Sequence, residues 1–301
     1  MLALMVRVSA ETARRALTLT YGLSLAAIIL VLVNTLVLNL DQTYWPGRGR
    51  LGTEALNPIS LGHLATTVIV LSTHTLTSNH NVSARIVIVS FITILIGLVT
   101  VVLAASRGPL LALVVAELVL VLSVFMRRQK TRLNILAALL IFTVTVMAAV
   151  YYLFISDSEI AAHFSYRGED TVSMRFEMFS AAWKNFTEAP LFGSALELME
   201  YGVYPHNVVI ESFMATGILG GTAFSILLLS SFLYALRLVN SYDSYSWVGL
   251  LFIQYVIGSL VSGSLYSSTT MWALMGAVIG VSGFSRGLRS LHSAPKLAED
   301  R

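Results

Sequence analysis

The chain has no cysteine, only six prolines and few charges: Asp, Glu, Lys and Arg together make up 12% of its 301 residues, against roughly 25% in a soluble domain. The missing cysteine excludes a disulfide framework, thiolate chemistry and cysteine ligation of metals. The shortage of charge excludes an ordinary water-soluble globule, because there are too few polar groups to coat one. Disorder and collagen are excluded by the opposite excess, 56% hydrophobic residues. With a mean hydropathy of +0.78, the chain reads as an all-α polytopic membrane protein. Its pI near 9.2 is then no sign of nucleic acid, which is not expected as a partner. The basic residues are to be sorted by side of the bilayer instead.

A membrane-spanning helix needs about 20 mostly apolar residues. Runs of that kind predict eight spans, at 21–40, 61–78, 86–105, 108–126, 133–155, 218–239, 247–265 and 270–284. An even number leaves both termini on one side. If that side is cytoplasmic, thirteen of the nineteen Lys and Arg face inward, and the outer six are Arg48, Arg50, Arg107, Arg167, Arg175 and Lys184. The short basic loop Arg127–Arg132, pressed between two spans, argues most strongly for this orientation. The outer segments are otherwise acidic, and five of their six cations are arginine. An arginine fork grips phosphate with two parallel bonds and keeps its charge at ordinary pH; pairing with acids inside a folded loop is the competing use. Arg14 and Arg15 precede the first apolar run without a cleavage site, so this start does not read as a secretory signal. No repeat or linker divides the chain, which is expected to form one membrane domain over 1–301.

The one large extramembrane segment is 156–205. Within it Met174, Met178, Phe179, Ala182, Trp183 and Phe186 recur at steps of three and four, placing them on one helical face. Ser173 is suited to cap that helix and Pro190 to end it. Such a helix either lies on the membrane surface, apolar side down, or packs on top of the bundle; both put Arg175 near headgroup level in its first turn. After Pro190 a turn region leads to Tyr204-Pro205-His206-Asn207. An apolar pattern then resumes toward the span at 218, with Gly217, Gly220 and Gly221 at a junction where a kink is cheap.

His206-Asn207, nine residues, Gly217, two residues and Gly220 resemble the His-Asn-x9-Gly-x-x-Gly signature of the O-antigen ligase family. Arg50-Leu51-Gly52 with Asn57-Pro58, Ser106-Arg107-Gly108, and Arg175 through Trp183 to Pro190-Leu191-Phe192-Gly193 resemble three further elements of that O-antigen ligase and polymerase-like superfamily. All four stand in the family's order and on the outer side. The resemblance implies a C-type membrane glycosyltransferase fold in the bacterial plasma membrane, with its active face extracytoplasmic. It implies transfer of a glycan from an undecaprenyl-pyrophosphate carrier to an acceptor glycan, to lipid A–core or to a protein hydroxyl, by inversion and without a metal. Family members usually have ten to twelve spans, so this chain reads as N-terminally short.

That chemistry needs cations at the departing phosphates. Arg107 and Arg175 are the first candidates, Arg167 and Arg50 the second. It also needs a base that titrates near neutral pH, which suits histidine. Of the six histidines, only His163 and His206 are expected outside, and His206 lies in the motif. Asn207 is placed to orient the imidazole, to bind sugar hydroxyls or to cap a helix; Glu211 is placed to serve the site or to cap local donors. Glu117 stands inside a span, where an ionisable group is costly, and the resemblance assigns it no role. No metal-ligand spacing and no phosphate-cradling glycine loop occur, so neither metal nor cofactor is expected. Two other readings stay open: a secondary transporter, for example of inorganic carbon, and an inactive truncated paralogue.

Overall fold

The computed structural model describes residues 9–38, 50–53, 55–78, 83–126, 140–142, 144, 159–241 and 244–293, with side chains from 174 in the long outer-loop helix and as far as Val281 in the last helix. Among them the fold is all-α, without strands beyond one isolated bridge between Leu198 and Val203. The helices are α1 (Ala10–Leu32, continued by a π-helical turn Val33–Val37), α2 (Pro58–Ser78), α3 (Ala84–Ala104), α4 (Arg107–Phe125), α5 (Glu159–Glu188), α6 (Val208–Ser241), α7 (Ser246–Ser262) and α8 (Thr269–Ser293).

Five of them are long and apolar enough to cross a membrane, α1 counted with its π turn. α7 is shorter, 17 residues, or about 26 Å at 1.5 Å per residue, at the lower limit for a span. The span expected at 133–155 lies outside the described residues except for 140–142 and 144.

Burial sorts these helices by polarity. α2 is the least hydropathic span and 72% of its apolar window is buried, whereas α3 is the most hydropathic and is 33% buried. α3 turns Phe91, Ile92 and Leu95 outward, as a lipid-facing helix must. α2 is held inside because its Thr, Ser and His side chains are costly in hydrocarbon. Thr66, Thr67, Ser72, Thr73 and Thr77 return their hydroxyls to carbonyls one turn back, which satisfies them within the helix. Others bond across the bundle: Tyr21 of α1 meets Ser72 and Thr93, Gln254 of α7 donates to the His63 carbonyl and to Thr67, and His74 shares a 2.7 Å bond with Ser246. Glu117 is fully buried on α4 against Thr73.

Two helix starts differ from the expectation. α1 begins at Ala10 rather than 21, capped by Ser9 on the Thr12 amide. The apolar run marks only the part of a helix fit for lipid, and polar turns carrying Arg14 and Arg15 extend it. α5 begins at Glu159, so Ser173 is not its cap and Arg175 stands mid-helix. The apolar periodicity beginning at Met174 marks the packed half: Met178 and Ala182 are buried against Leu198 and Met214 in a satellite core. α5 therefore packs on the first half of α6, and Trp183 remains 62% exposed.

Candidate active site

Four of the described connections, α1–α2, α3–α4, α5–α6 and α7–α8, build the site. The turn 50–53 closes the end of α3: the Leu51 amide donates to the Leu103 carbonyl at 2.8 Å, and Arg50 Nε donates to the Ala104 carbonyl at 3.1 Å. Such bonds satisfy carbonyls that a helix C-terminus leaves open. Ala105 follows in the left-handed region, φ 45°, and Ser106 is extended. The chain thus reverses within three residues and α4 starts at Arg107. At Gly108 a Cβ would stand 3.2 Å from Ser262 Oγ, tighter than ordinary contact, so a glycine lets the end of α7 approach the root of Arg107.

α6 is built around a break. Gly217 has φ 65° and ψ −165°, a region essentially confined to glycine. The break frees a carbonyl and an amide, and the Pro190–Ser194 turn supplies both partners: Ile218 donates to the Pro190 carbonyl at 2.8 Å, and Ser194 donates to the Met214 carbonyl at 2.9 Å. A Cβ on Gly217 would collide with the Leu191 carbonyl and the Phe192 amide. The Pro-Leu-Phe-Gly and Gly-x-x-Gly elements are therefore two halves of one joint. This joint ties the end of α5 to α6 and so fixes how Arg175 is presented.

His206 precedes α6 with φ 57°, a strained value for a residue with a Cβ. Asn207 beside it accepts from the Val209 and Ile210 amides at 3.0 Å each and donates to the Leu260 carbonyl at 2.9 Å. Its amide is thus occupied at both ends, as an N-cap and as a tie to α7. Of the roles expected of Asn207, the helix cap is the one these bonds make.

Ser262 is where the candidates meet. Arg175 Nη2 donates to Ser262 Oγ at 3.4 Å, a Cβ on Gly108 would stand 3.2 Å from the same hydroxyl, and the Ser262 backbone acts on the His206 ring. Burial, then the charge of Arg107, holds the Arg175 guanidinium below its ordinary value. Burial, then the charge of Arg175, lowers the His206 imidazole, partly offset by the Ser262 backbone. His206 Nδ1 is buried without a partner. Two guanidinium groups and a neutral imidazole therefore share one positive corner, suited to an anion beside a proton acceptor.

Arg50 bonds the Ala104 carbonyl at the end of α3, one turn before Arg107. Arg167 lies on α5 eight residues before Arg175, about 12 Å back along the axis, and its side chain lies outside the described residues. Glu211 takes the capping alternative with one oxygen, accepting from the Leu265 amide at 3.0 Å. Ser262 itself carried no signal in the sequence: it is one serine in a Ser-rich stretch, 56 positions after His206.

No curated protein matches the chain. The matched family suggests a transferase of the ligase or polymerase type with lipid-linked glycan and acceptor partners, and five of the described helices are long and apolar enough to cross a membrane. Residues 92–225, which carry Arg107, Arg175 and His206, match the model of the O-antigen ligase family, so this match and the motif resemblance agree on the O-antigen ligase-like superfamily.

Proposed function

We propose that the protein transfers a glycan from an undecaprenyl-pyrophosphate carrier to an acceptor hydroxyl at the outer face of the plasma membrane. The observation that carries this reading is the closeness of Arg175 to Arg107 and to His206, with the Arg175 fork on Ser262. In it, Arg107 and Arg175 hold the pyrophosphate and take up the charge that develops as the bond between the sugar C1 and the phosphate oxygen breaks. The acceptor oxygen attacks C1 from the opposite side, which inverts the anomeric centre, and its proton passes to His206. The carrier leaves as its pyrophosphate with the bonding electron pair, and the imidazolium returns its proton to solvent. The arginine charges suffice for this role without a metal.

The charge rule supports the orientation: both termini are cytoplasmic, and the end bearing Ser262 opens outward. The whole chain then acts as one membrane domain. A reporter fused at Lys130 should read cytoplasmic and one at Ser194 external. The decisive experiment is His206→Ala in cells lacking the native copy. Carrier-bound glycan should accumulate while protein level is unchanged; normal product would end the reading.

A further inference from the structure

Next to His206, at Tyr204 and Tyr266, the character of the surface changes. Tyr204 meets the His206 ring edge-on, with centroids 4.6 Å apart, and Tyr266 stands perpendicular to Tyr204 at 5.9 Å. The Tyr266 hydroxyl donates to Glu197 Oε1 at 3.4 Å. The charges acting here are carboxylates rather than guanidinium groups. Burial and then Glu211 hold the Tyr204 phenol above its ordinary value, and desolvation and then Glu197 do the same for Tyr266. Glu211 is fully buried, and its Oε1 has no partner.

Tyr266 is 54% exposed, yet its turn is rigid. Leu265 donates its amide to Glu211 and accepts from Trp272 Nε1 at 2.7 Å, while Ser264 and Ser267 share a 2.8 Å bond. An aromatic ring held on a pre-organised turn beside a carboxylate meets a ligand without having to be ordered first. It offers an apolar face to the C–H side of a sugar and acceptors to its hydroxyls. The same carboxylates repel phosphate, so this surface and the arginine corner take different halves of a reaction, with His206 at their boundary.

We infer that Tyr266, Tyr204 and Glu197 form the subsite for an uncharged sugar ring of the acceptor, and so determine acceptor specificity. This rests on the transferase reading above, His206 being the group toward which the bound hydroxyl is directed. The subsite rejects acidic sugars at this position.

Saturation-transfer NMR on the full chain in nanodiscs tests it, with a mixture of the methyl glycosides of glucose, galactose, mannose and N-acetylglucosamine, and of methyl glucuronoside. At least one uncharged glycoside should take up saturation through its ring C–H groups, and the glucuronoside should take up none. Tyr266→Ala should cut the signal about fivefold, the scale of one lost aromatic contact, while Tyr266→Phe keeps most of it. An unchanged thermal midpoint in Tyr266→Ala, or failing that the Phe variant against Glu197→Arg, separates lost contact from lost fold. No saturated glycoside in the wild type, equal signal in Tyr266→Ala, or preference for the glucuronoside overturns the subsite. Transfer activity reports on the underlying reading separately: a His206→Ala protein that still transfers glycan refutes the base, while wild-type binding of an uncharged glycoside that is lost in Tyr266→Ala leaves the sugar site standing.

Discussion

Replacing Gly217 with alanine probes the joint on which the arrangement of Arg175 and His206 rests. The native φ of 65° with ψ of −165° is strained for any residue with a Cβ, at a cost of about 1–3 kcal/mol. The new methyl group cannot be relieved by turning a side chain, because it meets the Leu191 carbonyl and the Phe192 amide. The Pro190–Ser194 turn must move off α6 and give up its bonds to Ile218 and Met214, each contributing about 1 kcal/mol. The sum is about 3–5 kcal/mol. Gly202→Ala is the matched control: its φ of 62° is also positive, but a Cβ there meets nothing within 4 Å, so only the left-handed conformation, about 1 kcal/mol, is at stake. Thermal unfolding of the purified full chain in nanodiscs should order the proteins wild type, Gly202→Ala, Gly217→Ala, with the last lowered by roughly 10 °C. Glycan transfer should fall with it, because α5 loses its anchor. Equal midpoints for the two variants would refute the joint as a structural device.

Arg175→Lys keeps the charge but loses the planar fork, and transfer should fall about 10- to 100-fold; full activity would argue against bidentate phosphate binding. Because His206 is held below 6.5, it is neutral and able to accept a proton at neutral pH, and transfer should decline only as the pH falls through that lowered value. Arg175→Gln removes a cation that depresses it, so the acid limb of the residual rate should move to higher pH; a pH–rate profile on proteoliposomes reads the shift. The same sign governs folding: the unfolded imidazole takes protons first, so this group's contribution to stability is present above 6.5 and shrinks on acidification. Asn207→Ala removes the α6 cap and the tie to Leu260, which should lower stability by about 1–2 kcal/mol. Asn207→Asp keeps the cap and should recover most of it, which chemical denaturation can measure.

Composition and apolar runs determined that the chain is helical and membrane-spanning, because a backbone in lipid has almost no other way to satisfy its hydrogen bonds. The break after Gly217 was legible too, since a cluster of glycines has few other uses at a helix junction. Local patterns misplaced the starts of α1 and α5, because periodicity reports which part of a helix meets lipid or a neighbour and not where its hydrogen bonding begins. What the motifs do was decided only by tertiary contacts. The Pro-Leu-Phe-Gly turn mends a break in a helix that starts fifteen residues later, and Asn207 spends its amide on a cap and on Leu260. Arg175 reaches its partner across 87 positions. Ser262, Tyr266 and Glu197 belong to no motif and gain their meaning from the elements folded against them. Such contacts depend on how helix ends stack, and spacing along one strand of sequence carries no record of that.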